Sequence, residues 1–89
     1  MGYFVYAIYN IIKNKIYIGQ TRDMNLRLRL HNEKVFKSYT SKFDGCWELI
    51  YLEKQDSRKL ALIREHQLKS YRGREFVKNL IDNSRVAQR

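Results

Sequence analysis

Residues Tyr3 to Asn10 read YFVYAIYN, and no other stretch constrains the fold as tightly. The run is apolar at odd and even positions alike and rich in aromatic and β-branched side chains. A strand sends successive side chains to opposite faces, so this one needs cover on both. It is therefore expected at the centre of a sheet, buried above and below. Lys13-Asn14-Lys15 makes a polar turn and Ile16 to Gln20 alternates, which predicts a hairpin. Thr21 is placed to cap the next segment, with Asp23 in the first turn of a helix from Arg22 to about Phe36. Leu26 and Leu30, four residues apart, mark the core side of that helix.

Ser38 to Asp44 reads as a loop, and Trp47 to Glu53 (WELIYLE) as a third strand. Asp56 or Ser57 caps a helix from Arg58 to about Tyr71, Gly73 breaks it, and a short helix from Arg74 to Asp82 follows. The order is β-β-α-β-α-α, an α/β arrangement in the broad sense (α+β): a three-stranded sheet flanked by helices. One domain is expected over residues 1–83, with residues 84–89 as a frayed tail.

Composition narrows the partners. The chain has 89 residues, 18 Lys and Arg against 9 Asp and Glu, and a formal net charge of +9. A basic surface with abundant aromatics suits an anionic polymer, because phosphate contacts release counterions. No apolar run approaches the roughly 18 residues of a membrane span, and the first residues lack the pattern of a signal peptide, so no membrane association is expected. Cys46 is the only cysteine, which excludes an internal disulfide and a cysteine-rich zinc cluster. The expectation is a cytoplasmic nucleic-acid-binding domain.

The residues that carry chemistry are spread along the chain. Tyr6 and Tyr17 lie on the two hairpin strands, where their hydroxyls can converge. A phenol is a poor base at its usual pKa near 10 and becomes useful only where neighbouring cations favour ionisation. Arg27 and His31 are one helical turn apart and face the same way. An arginine fork can hold two phosphoryl oxygens and stabilise transition-state charge. His31 can orient water, relay a proton or bond a tyrosine. Glu65 sits in a partly apolar stripe with Ala61, Leu62 and Leu68. A desolvated carboxylate needs a positive partner, which is either a divalent metal or Lys69 at i+4. Gly19 either lets a phosphate approach the backbone or supplies a turn at positive φ. Lys37, Tyr39 and Lys42 belong to a basic, hydroxyl-rich loop suited to phosphates and base stacking. Arg29 and Lys69 read as contacts to solvent or to the nucleic-acid backbone.

Phe4-Val5-Tyr6, Tyr17-Ile18-Gly19, Arg27, His31 and Glu65, in this order over nearly the whole chain, resemble the GIY-YIG nuclease family. The second motif is intact. In the first, Phe4 and Val5 replace Gly and Ile, at positions that read as packing sites. The likeness is to the small single-domain members, to the N-terminal domain found in excinucleases and to the catalytic domains of intron-encoded homing endonucleases. The resemblance implies a metal-dependent endonuclease cleaving phosphodiester bonds, with DNA and DNA repair or processing as the expected setting. It implies catalytic roles for Tyr6, Tyr17, Arg27, His31 and Glu65, with Glu65 as ligand to Mg2+ or Mn2+. A nucleic-acid-binding module of the same fold without turnover is the alternative. A homodimer, or a partner protein that supplies specificity, stays open.

Overall fold

The computed structural model describes residues 2–34 and 40–87, with side chains up to residue 83. Three strands, β1 (Tyr3–Asn10), β2 (Lys15–Thr21) and β3 (Glu48–Gln55), form one antiparallel sheet in the order β2-β1-β3. The doubly apolar run is the central strand, as its composition demands, and Val5 to Asn10 are all buried. The hairpin register opposes Tyr6 to Gly19 and Ile8 to Tyr17. Opposed residues share a face, so Tyr6, Ile8, Tyr17 and Gly19 lie on one side of the sheet.

Three α-helices cover the sheet: α1 (Met24–Glu33), α2 (Arg58–Leu68) and α3 (Tyr71–Ala87). Val5, Ala7, Tyr9 and Ile18 pack with Ala61 and Leu68 of α2 and Val77 and Ile81 of α3. On the other face Tyr6 and Ile8 pack with Met24 of α1 and with Trp47, joined by Tyr17, Leu28 and Phe43. Asn10, fully buried at the end of β1, ties the turns together. Its Nδ2 donates to the Asp44 carbonyl at 2.8 Å and its Oδ1 accepts from Lys13 N–H at 3.1 Å.

Helix α1 begins later than its sequence suggests. Asp23 is the cap, accepting from Leu26 N–H at 3.1 Å, while Thr21 closes β2 and accepts from Asp23 N–H through Oγ1 at 3.2 Å. The helix stops at Lys34, whose φ of 55° is left-handed and whose N–H donates to Leu30 O. Its core side is also different: Met24, Leu28 and His31 face inward, and Leu26 is 41% exposed. Leu26 thus lies on the outer flank, and Leu30 is half-buried. A three-residue 3-10 turn, Thr40–Lys42, precedes β3.

The later helices divide at Lys69 and Ser70, and Gly73 lies inside α3. Its role is close approach. A Cβ at Gly73 would lie 2.4 Å from Gln67 O, Leu68 Cα and Leu68 O. Gly73 is what lets the first turn of α3 press against the end of α2. Ser70 Oγ accepts from Gly73 N–H at 3.3 Å, and α3 runs beyond Asp82 to Ala87. Ser57 caps α2, accepting from Leu60 N–H at 3.2 Å.

Candidate active site

The thinner face of the sheet gathers the aromatic and titratable groups. Tyr6, Tyr17 and His31 form a triangle of rings, with centroids 6.2 Å apart for the two tyrosines, 5.9 Å for Tyr6 and His31 and 5.1 Å for Tyr17 and His31. The hairpin register supplies the tyrosines, and the inward side of α1 supplies the histidine. Gly19 makes the meeting possible. A Cβ there would stand 2.8 Å from Tyr6 Oη and 3.0 Å from Tyr17 Cε1. Gly19 lies within β2, and its φ is not positive. Its lack of a side chain leaves room for two phenols.

His31 is 7% exposed and both its ring nitrogens are engaged. Nε2 lies 2.9 Å from Tyr6 Oη and Nδ1 lies 2.8 Å from Thr40 Oγ1. Burial, reinforced by the Arg27 charge, pulls the His31 pKa below its ordinary value, so the ring is neutral near pH 7. Tyr6 is 1% exposed. Burial pushes its hydroxyl well above the usual phenol range; Tyr17 and Glu65 add to the rise and Arg27 opposes it. A neutral Tyr6 that donates to Nε2 leaves the ring proton on Nδ1, facing Thr40 Oγ1. The same electrostatics show that Arg27 and Glu65 both act on Tyr6, although they come from distant parts of the chain.

Thr40 is the residue of this cluster that the sequence hides. Its neighbours in the chain make it one of a solvent-facing hydroxyl loop, yet it is 1% exposed, holds His31, and accepts from Trp47 Nε1 through its carbonyl at 3.3 Å. Nothing in a polar segment of threonine, serine and lysine marks Thr40 as a hydroxyl that is turned inward. Asn32 has a similar hidden role. Its side chain accepts from Trp47 N–H at 2.6 Å and donates to Trp47 O at 3.1 Å, which fixes α1 against the start of β3.

Glu65 is partly buried, its side chain 19% exposed, between buried Ala61 and Leu68. Leu62 is 47% exposed, so the apolar stripe is narrower than the sequence implies. The carboxylate is held by Lys69 Nζ at 2.7 Å. Among the described residues no three His, Cys, Asp or Glu side chains gather as a ready metal cage. Arg29 points away from the site and pairs with Glu33 at 3.5 Å on the exposed side of α1. Lys42 is exposed on the 3-10 turn, and Lys37 and Tyr39 lie outside the described residues.

Residues 2–79 match the GIY-YIG catalytic domain. The chain belongs to the GIY-YIG family. This is a nuclease family, and nucleic acid is the substrate class it implies. Among GIY-YIG relatives, a UPF0213 protein of Haloquadratum walsbyi is 39% identical over 56 residues, which are 63% of this chain and 62% of that relative. The match thus spans less than two thirds of the relative's length. The solution NMR structure of a UPF0213 protein from Bacillus halodurans has the same fold, with a TM-score of 0.53, 26% identity, and coverage of 90% of this chain and 85% of that one. No helix among the described residues is long and apolar enough to cross a membrane.

Proposed function

We propose that this domain is a metal-dependent endonuclease that hydrolyses phosphodiester bonds in DNA. The observation that carries this reading is the Tyr6–Tyr17–His31 ring triangle, held by the hydrogen bonds of His31 to Tyr6 and Thr40 and lying within electrostatic reach of Arg27 and Glu65. The tyrosines divide the work. Tyr6 is buried, hydrogen-bonded and held neutral, so it serves the site as a fixed donor. Tyr17 lines an open groove and is the phenol that substrate can reach. Tyr17 takes the proton of the attacking water, while Arg27 neutralises charge that builds on the phosphoryl oxygens. Neutral His31 holds Tyr6 and packs against the Tyr17 ring, which sets the angle of the base.

Glu65 fits a hard divalent cation such as Mg2+, or Mn2+ in its place. Mg2+ commonly takes one or two carboxylates and completes its shell with water and substrate phosphate oxygens. A partly buried carboxylate now held by one lysine has the required chemistry, and Lys69 must release it when the cation binds. When bound, the cation acts as a Lewis acid on the phosphoryl group.

The test is cleavage of a panel of linear, nicked and branched DNAs with Mg2+ or Mn2+, comparing the wild-type chain with Glu65→Gln and Tyr17→Phe. Both variants are expected to bind DNA and melt as the wild type does, and to lose cleavage. Normal cleavage by Glu65→Gln, or none by the wild type on any substrate, overturns the reading in favour of a binding module without turnover.

A further inference from the structure

Two clefts flank the site, and both border β2. The larger, about 860 Å³, is lined by Lys15 and Tyr17 of β2, by Lys69, and by Arg74 and Lys78 of α3; Asp82 is its one acidic residue. The smaller, about 330 Å³, is lined by Gln20, Arg22, Arg27 and Arg58, beside Tyr3. Their placement along the two elements is ordered. The start of β2 and the end of α2 meet at the larger cleft, whereas the end of β2 and the start of α2 meet at the smaller. The clefts therefore lie at opposite ends of one β2–α2 seam. Tyr17 borders the first, beside Ile16 and Ile18, and Arg27 borders the second, so the candidate reacting centre lies between them.

We infer that a nucleic-acid backbone lies along this seam, with phosphates on one side of the reacting linkage held by Lys15, Lys69, Arg74 and Lys78, and those on the other side by Arg22 and Arg58. The identity of the polyanion rests on the nuclease reading; the path itself rests on the two clefts. The seven residues of β2 span about 23 Å at ~3.3 Å per residue. That length is enough to hold several successive phosphates of one strand between the two clefts. Distribution of charge supports the assignment: one end of the seam carries four cations and one carboxylate, and the other carries three arginines and no carboxylate.

The path predicts where charge matters. Affinity for a fluorescein-labelled oligonucleotide is measured by anisotropy across a salt series in EDTA, where cleavage does not intervene. The variants are Lys15→Gln/Arg74→Gln/Lys78→Gln, Arg22→Gln/Arg58→Gln, and a control pair Lys54→Gln/Lys59→Gln, which lines neither cleft. Each lost phosphate contact flattens the plot of log affinity against log salt by about 0.7–0.9. The triple variant is thus expected to lose about 2–3 in slope and the double about 1–2, with the control unchanged. A control pair that flattens the slope as much as the cleft variants, or a wild-type chain that does not bind, overturns the path. The second measurement uses oligonucleotides with single uncharged methylphosphonate linkages. Affinity should fall only for linkages close on either side of the cut site, or, if nothing is cut, within one short contiguous window. A chain that binds in this pattern without cutting keeps the path and removes the nuclease reading. A chain that cuts normally when both clefts are neutralised keeps the nuclease reading and removes the path.

Discussion

The two faces of β1 have different tasks, although one run of eight residues builds both. Val5, Ala7 and Tyr9 meet α2 and α3 in an aliphatic layer that holds the domain together. Tyr6 and Ile8 meet α1, Met24 and Trp47, and this layer ends in hydroxyls and an imidazole that bond one another. Period-two geometry separates the tasks without separating the residues in sequence. A substitution at Val5 or Ala7 is felt as lost packing, and one at Tyr6 as a displaced hydroxyl.

The largest expected break in this comparison comes from Arg27→Ala. Removing one charge-stabilising donor should lower turnover by about 10²–10³-fold. The melting temperature should hardly change, since Arg27 belongs to neither apolar cluster. Steady-state cleavage alongside a thermal melt checks both halves. A large fall in melting temperature would mean that the site face also bears the stability of the domain.

Gly73→Ala probes the opposite face. Backbone atoms of α2 leave no room for the methyl, and overpacking of this kind costs about 1–3 kcal/mol. At about 4–8 °C per kcal/mol for a domain of this size, the shift is readable in a melt. Turnover per folded molecule should remain that of the wild type.

The smallest effect sharpens the comparison through pH. His31 is held below its unfolded pKa of about 6.5. Its neutral form therefore supports the fold fully above that value, and the contribution is lost as pH falls through the folded pKa. Stability should decline on acidification below about pH 6.5, and His31→Gln should flatten that decline. Because Arg27 adds to the depression, Arg27→Ala should raise the His31 pKa in an NMR titration. An unchanged titration would mean that burial alone sets it.

The sheet is legible in the sequence because its signals are local. A strand apolar on both faces, a polar turn and an alternating partner define the hairpin, and the hairpin brings Tyr6 beside Tyr17. The helix boundaries are less legible because capping depends on geometry. Thr21 and Asp23 are both good cap residues, and only the extension of β2 through Thr21 assigns the role to Asp23. Gly73 reads as a breaker because sequence does not show that another backbone passes within reach of it. Leu26 misleads for a related reason: α1 turns histidine, methionine and a different leucine inward, since the face it covers is polar at its centre. Thr40 is beyond reach, because its burial depends on where α1 ends and where Trp47 docks.

The close approach of the two phenols to Gly19 has a consequence for how this protein can change over generations. Tyr6 is pinned there by His31 and by near-complete burial, so its hydroxyl has no space to retreat from a methyl group. A single-nucleotide codon change from glycine to alanine would pry the phenols apart, leaving the aliphatic layer beneath untouched. A descendant carrying that change would keep the scaffold and its basic seam while losing the aligned pair. On the proposed function, loss of cutting with retention of grip is therefore one mutational step away, and a lineage could take that step without first passing through an unfolded protein.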